Sequence, residues 1–236
     1  MQLSKYLPFF VATVGLDLLF ATHPDWVSYR ILSKPLIMLT IIFLFYRHPI
    51  SPRHHRTFIY AALIFSLIGD VVLIFSDLHS AVFIGGLASF LLAHIFYGIT
   101  FGKQIDFSKI YVIQVIKPAV LFLIFGLVFF YFMHPFFASL LVPVAAYMMT
   151  ILAMATLAYL RKENVPRESF SWVLAGAILF IISDSILAIN RFRSPLPYAD
   201  VWVMTTYASA QFCIVWGLIK SKDVDAKLQP HLPSHG

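Results

Sequence analysis

Charge is scarce in this chain of 236 residues. Asp, Glu, Lys and Arg make up 12% of it, about half the roughly 25% usual in a soluble domain. Apolar residues make up 60%, and the mean hydropathy is +0.85, so a water-soluble globule could not hide its apolar surface. The soluble and disordered classes are excluded. Nucleic-acid binding goes with them, although the net charge is +6. Cysteine is nearly absent: the single Cys213 sits in an apolar run, with no disulfide framework and no CxxC pair. The chain also lacks GxSxG, GxGxxG, a Walker loop and HExxH. Nucleophile-elbow, dinucleotide, P-loop and zincin chemistry therefore have no signature here. Long polar segments are missing too, so no catalytic domain is expected outside the apolar runs.

What the sequence does have is a series of those runs. A helix crossing the hydrocarbon core needs about 20 mainly apolar residues. Eight candidates are found, at about 7–22, 34–46, 57–76, 80–101, 111–133, 136–160, 169–190 and 198–219. The second is placed from Lys34-Pro35, since proline suits a first helical turn, with a start nearer Tyr29 as the alternative. The first contains Asp17 and no small-x-small cleavage site, so it is read as a span and not as a signal peptide. The expected fold is thus all-α: a polytopic membrane bundle of eight helices forming one domain over residues 1–220. A polar, disordered tail is expected at 221–236.

Charge placement orients the bundle. With alternating spans, one side receives Lys5, Arg47, Arg53, Arg56, Lys103, Lys109, Arg161, Lys162, Arg167, Lys220, Lys222 and Lys227. The other receives Arg30, Lys34, Arg191 and Arg193. Cations stay cytoplasmic, so both termini are expected inside. Lys117, within the fifth span, can snorkel to the same interface. The excess positive charge is therefore a topology signal and a means of attracting anionic lipid heads.

A repeated motif carries two carboxylates. Leu67-Ile68-Gly69-Asp70-Val71-Val72-Leu73 in the third span parallels Ile181-Ile182-Ser183-Asp184-Ser185-Ile186-Leu187 in the seventh, 114 residues later. The two spans stand four apart in order, as a tandem 4+4 duplication of parallel halves would require. At 1.5 Å per residue, Asp70 and Asp184 lie roughly 20 and 22 Å from the cytoplasmic ends of their spans, in the outer half of the membrane. Asp17, Lys34, Tyr147, Tyr207 and Gln211 fall on the same side, where they could converge on one polar pocket. An aspartate at such depth costs about 2.5–3.5 kcal/mol on insertion scales and needs a partner. That partner can be purely structural, such as Lys34 or an interhelical hydrogen bond from Tyr or Gln. His94 is a single intramembrane histidine, fewer than the three protein ligands of a catalytic zinc site, and is read as lining a pocket with Tyr97 on its face. Gly98-x-x-x-Gly102 matches a helix-packing motif.

Taken in order, these residues resemble a known family. Lys34-Pro35, Ser66-x-x-Gly69-Asp70 and Phe83-x-x-Gly86-x-x-x-Phe90-x-x-x-His94-x-x-Tyr97 carry the first part of the likeness. Gly176-Ala177-x-x-Phe180-x-x-Ser183-Asp184-Ser185 and Tyr207-x-x-x-Gln211 carry the second. The pattern, from about Lys34 to Gly217, resembles the YhhN family, whose characterised members are lysoplasmalogenases. The resemblance implies an eight-helix membrane hydrolase that cleaves the vinyl ether of a lysoplasmalogen. The products would be a fatty aldehyde and glycerophosphoethanolamine or glycerophosphocholine. Such chemistry asks for one protonated acid and one carboxylate, with no metal and no cofactor, as two carboxylates flank the oxocarbenium ion in glycosidases.

Asp70 and Asp184 are expected in those two roles, the one nearer Lys34 being the anion. Ser66, Tyr147, Ser183, Tyr207 and Gln211 would orient water or the glycerol hydroxyl. Lys34, Arg191 and Arg193 are candidates for the phosphate. The expected partners are a lysophospholipid substrate and membrane lipids, in a bacterial inner membrane. A proton-coupled transporter or a non-catalytic lipid-binding protein would use the same carboxylates.

Overall fold

Proline marks where the apolar runs turn over: Pro8, Pro24, Pro135, Pro166, Pro195 and Pro197 all lie in the first turn of a helix or between helices. The computed structural model describes residues 5–48, 53–76 and 78–221, and among these there is no strand. Eight α-helices follow in order: α1 Leu7–Thr22, α2 Arg30–Arg47, α3 Arg53–Ile74, α4 Ser80–Gly102, α5 Val112–Met133, α6 Leu141–Leu160, α7 Arg167–Ala188 and α8 Ala199–Lys220. Seven helices among the described residues are long and apolar enough to cross a membrane. The eighth, α1, has 16 residues and a rise of about 24 Å, short of a core about 30 Å thick. The protein is an all-helical, multi-pass membrane protein.

Several boundaries differ from those read off the sequence. Helix α2 begins at Arg30, after a 3₁₀ turn over Pro24–Tyr29, so Lys34 and Pro35 lie inside it and do not open it. Pro35 is the sixth residue of the helix, and the N–H it lacks would have met the Ile31 carbonyl oxygen in the first turn. The start expected near 136 is instead two 3₁₀ turns, His134–Phe136 and Ala138–Leu140, before α6. Helix α7 ends in a π-turn over Ile189–Arg193. Of the expected tail, Ser221 closes the end of α8 through a hydrogen bond to the Leu218 carbonyl oxygen, and the rest, with Lys222 and Lys227, lies outside the described residues.

Arg161 is no loop cation. It is fully buried at the end of α6, its Nε donating to Gln104 Oε1 at 2.7 Å and its Nη2 to Ser169 Oγ at 2.9 Å. Lys162 and Glu163, next to it, are exposed, and that polar context made the whole tripeptide read as loop.

Helix α8 is the most deeply buried helix of the bundle, whereas α5 is largely exposed and sits at the periphery against α6. Glycines set the tightest contacts. A Cβ on Gly176 of α7 would stand 2.7 Å from the Ala210 carbonyl oxygen and 2.9 Å from the Ile214 backbone nitrogen. A Cβ on Gly217 of α8 would stand 2.9 Å from the Val173 backbone nitrogen. Helices α7 and α8 therefore approach backbone to backbone at two levels. Helices α3 and α4 do so less closely, Gly69 facing the Phe90 ring and Gly86 facing Leu73. The Gly98/Gly102 pair does not act as a close-packing motif: Gly98 meets Leu157 at ordinary distance, and Gly102 meets nothing within 4 Å.

Candidate active site

Asp70 follows Gly69 on α3 and is 1% exposed. Its Oδ2 accepts a hydrogen bond from the Tyr207 hydroxyl at 2.7 Å, and Lys34 Nζ lies 3.8 Å from Oδ1. Tyr207 and Gln211 are one turn apart on α8, as Ser66 and Asp70 are on α3, so two polar faces meet in register. Gln211 Nε2 donates to Ser66 Oγ at 2.8 Å and, at 3.5 Å, to the Tyr207 hydroxyl. Gln211 Oε1 accepts from the Tyr97 hydroxyl at 2.6 Å. Ser66, Tyr97 and Gln211 are wholly buried, so each polar atom in this network needs the partner it has.

Asp184 heads a second network. Its Oδ2 accepts from the Tyr147 hydroxyl at 2.6 Å, and His94 Nε2 lies 2.9 Å from that hydroxyl and 3.4 Å from Oδ2. The Asp184 side chain is 20% exposed, against 2% for Asp70, and the space it faces is an apolar cleft between α4, α5, α6 and α7. Six phenylalanines line that cleft: Phe83, Phe90, Phe125, Phe129, Phe137 and Phe192. Asp184, Ser185 and Tyr147 are its polar wall, and Ser185 Oγ is already committed to the Ile181 carbonyl oxygen at 2.7 Å.

The groups expected in one pocket thus divide in two. Phe180 packs against His94 at 4.9 Å between ring centroids and against Tyr207 at 5.7 Å, touching both networks. Phe90 lines the cleft and packs edge-on against Tyr207 at 5.6 Å. Asp70 lies behind these rings and is not part of the cleft wall. Tyr97, expected beside His94, bonds Gln211 of the first network. Ser183 joins neither network: its hydroxyl donates to the Val203 carbonyl oxygen at 3.1 Å and ties α7 to α8.

Three further charges belong near Asp70. Asp17 Oδ1 accepts from Ser33 Oγ at 2.6 Å, and Arg30 reaches Asp17 Oδ2 at 3.6 Å and Asp200 Oδ2 at 3.1 Å. Asp17 is therefore paired with Arg30, while Lys34 is left to Asp70. Ser33, Arg30 and Asp200 had no signal in the sequence beyond lying close in order to groups that did. At the outer rim of the cleft, Arg191 Nη2 donates to the Ser76 carbonyl oxygen at 3.2 Å and its guanidinium lies 5.0 Å from the Phe83 ring centroid. Arg193 lies 5.7 Å from that of Phe136. Among the described residues, no three His, Cys, Asp or Glu side chains come together as a metal cluster would need.

This arrangement has known counterparts in sequence. The YhhN family matches residues 29–218. The chain belongs to the YhhN family. Human lysoplasmalogenase TMEM86A is 29% identical over 231 residues, covering 93% of this chain and 90% of the relative. Human lysoplasmalogenase TMEM86B is 34% identical over 163 residues, 68% of this chain and 62% of the relative. A lysoplasmalogenase of Mycobacterium tuberculosis is 30% identical over 180 residues, 75% of this chain and 65% of the relative. No solved structure matches the chain significantly. The YhhN match contains both networks and the whole cleft, and leaves out α1 with Asp17.

Proposed function

We propose that this protein is a lysoplasmalogenase, hydrolysing the vinyl-ether bond of a lysoplasmalogen inside the membrane. The observation that carries the reading is Asp184: a carboxyl at the wall of a phenylalanine-lined cleft, one oxygen held by Tyr147 and the other free of hydrogen bonds among the described residues. The kinship with enzymes named lysoplasmalogenases supplies the reaction. The hydrocarbon chain lies along the phenylalanines, and the glycerophosphate points to the outer rim. Arg193 is a candidate for the phosphate there. Lys34 is engaged with Asp70 and is no longer such a candidate.

The protonated Asp184 gives its proton to the β-carbon of the vinyl ether, and the α-carbon becomes an oxocarbenium ion. Water adds to that carbon and gives its proton to the Asp184 carboxylate, which restores the acid. The resulting hemiacetal collapses to a fatty aldehyde and the free glycerol hydroxyl, so one water is consumed and no metal is called for. Asp70, beside Lys34, is the ionised partner that stabilises positive charge across the Phe90 and Phe180 rings. Tyr147 holds Asp184 in place, and His94, within reach of both, fixes the direction of the pair. The protein acts with eight spans, the short α1 matched by local thinning of the bilayer, both termini cytoplasmic, in a bacterial inner membrane. The paired Asp motifs in α3 and α7 descend, on this reading, from a four-helix duplication.

The test is aldehyde release from a lysoplasmalogen by the purified protein. Asp184→Asn should lower kcat by about 100-fold or more, the range of a lost general acid, and Asp70→Asn by less, since it acts through its charge alone. Near-wild-type release by the first variant overturns the mechanism. Near-wild-type release by the second alone removes Asp70 from it. No release from the vinyl ether by the wild type, in a panel that includes ether and ester lysolipids, overturns the activity.

A further inference from the structure

A second groove lies at the opposite end of the bundle, between the start of α5 and the end of α6. Lys109, Gln114 and Lys117 form one wall, and Tyr159, Lys162 and Glu163 the other. Lys117 is the sixth residue of α5, about 8 Å of helical rise beyond Val112. Its neighbours Ile113, Ile116 and Val120 are 55, 47 and 45% exposed, so this face of α5 is turned to lipid. A cation at this level needs an anionic or polar partner. Lys117 has none: among the described residues nothing lies within hydrogen-bond or ion-pair reach of its ammonium.

The other two cations are only partly committed. Lys162 stands 4.0 Å from Glu163, both well exposed, and Lys109 is paired with Asp106 at 2.7 Å. The groove therefore presents three ammonium groups with Glu163 as the one carboxylate in its wall. It opens where cations concentrate in the sequence, at the end of the bundle that charge placement assigns to the cytoplasm. A water-filled site would leave Lys117 solvated by bulk solvent alone. A site at the lipid headgroup level has a phosphate at hand.

We infer that this groove binds the phosphate of an anionic phospholipid from the adjoining leaflet. Lys117 and Lys162 take the phosphate oxygens, Gln114 and the Tyr159 hydroxyl donate hydrogen bonds, and the acyl chains run along the exposed face of α5. Lys109, Lys117 and Lys162 outnumber Asp106 and Glu163 by one, which favours a lipid of net negative charge over a zwitterionic one. The ligand fastens α5, which otherwise packs mainly on α6, at its entry into the membrane. The inference stands independently of the hydrolase reading.

The full chain, reconstituted in phosphatidylcholine vesicles with or without about 30 mol% phosphatidylglycerol, provides the test, read as the thermal-unfolding midpoint. Phosphatidylglycerol should raise the wild-type midpoint by about 4 °C. Lys117→Gln combined with Lys162→Gln should abolish the rise, while Lys117→Arg with Lys162→Arg keeps it and shows that the site tolerates substitution. Lys103→Gln, a cation of the same end outside the groove, should also keep it. A rise that survives the double Gln change, or that Lys103→Gln reduces equally, overturns the site in favour of general surface charge. A rise produced in pure phosphatidylcholine by about 10 mM inorganic phosphate overturns the lipid and leaves a soluble-phosphate site. If the double Gln variant does not fold, Lys117→Gln alone must at least halve the rise, or the inference fails.

Discussion

At the scale of single residues, the two carboxylates differ in surroundings more than in depth. Asp70 is enclosed by Lys34, Tyr207 and the Gln211 relay, whereas Asp184 stands at the wall of a cleft with Tyr147 behind it. The Tyr147 bond, at 2.6 Å, is short and fixes the direction of the carboxyl. Removing it with Tyr147→Phe should lower kcat for aldehyde release by about tenfold, since the acid would lose its fixed direction. The KM should change little, because Phe still completes the apolar wall. A kcat unchanged by that substitution would show that Tyr147 only fills space. The sequence already singled out both aspartates, because a carboxyl in an apolar run stands out against its neighbours. It also placed Lys34 near them. Helical rise fixes one coordinate of a side chain, its depth, and says nothing of the direction around the axis. That is why Tyr97 and His94, three residues apart, ended in different networks.

At the scale of elements, close helix approach depends on a few positions without a side chain. Gly176 faces backbone atoms of α8, which cannot rotate away as a side-chain tip can. Gly176→Ala should therefore cost about 1–3 kcal/mol of stability, as overpacking of a core does. It should also perturb both networks, because α7 carries Asp184 and α8 carries Tyr207. Gly15 of α1 has nothing within 4 Å of where a methyl group would stand, and Gly15→Ala should be neutral or stabilise by about 0.5–1 kcal/mol. Thermal unfolding in detergent compares the two; equal effects would remove the argument from backbone contact. The elements themselves were legible, since apolar runs bounded by Pro, Gly and charge set the helices to within a few residues. Their junctions were not. The π-turn over Ile189–Arg193 and the left-handed backbone of Ala138 (φ 46°) and Tyr198 (φ 56°) have no sequence signature, because neither uses glycine.

For the whole molecule, orientation rests on the count of cations at each end, and burial of Arg161 removes one of them from that count. The bias survives, as the remaining loop cations still fall mostly on one side. In a Cys213→Ser background, Ser194→Cys should react with an impermeant maleimide on intact cells, and Ser108→Cys only after permeabilisation. The reverse pattern would invert the protein in its membrane. The position of the cleft also has a consequence for chemical reactivity. One carboxyl opens toward a space that α5 walls only partly from the bilayer, and the other is sealed behind aromatic rings. An apolar carbodiimide dissolved in lipid should therefore modify Asp184 quickly and Asp70 slowly, and a cleft-filling lysolipid should protect the first and leave the second unaffected. Peptide mapping of the modified protein would turn a difference in burial into a difference in reaction rate between two aspartates of nearly the same depth.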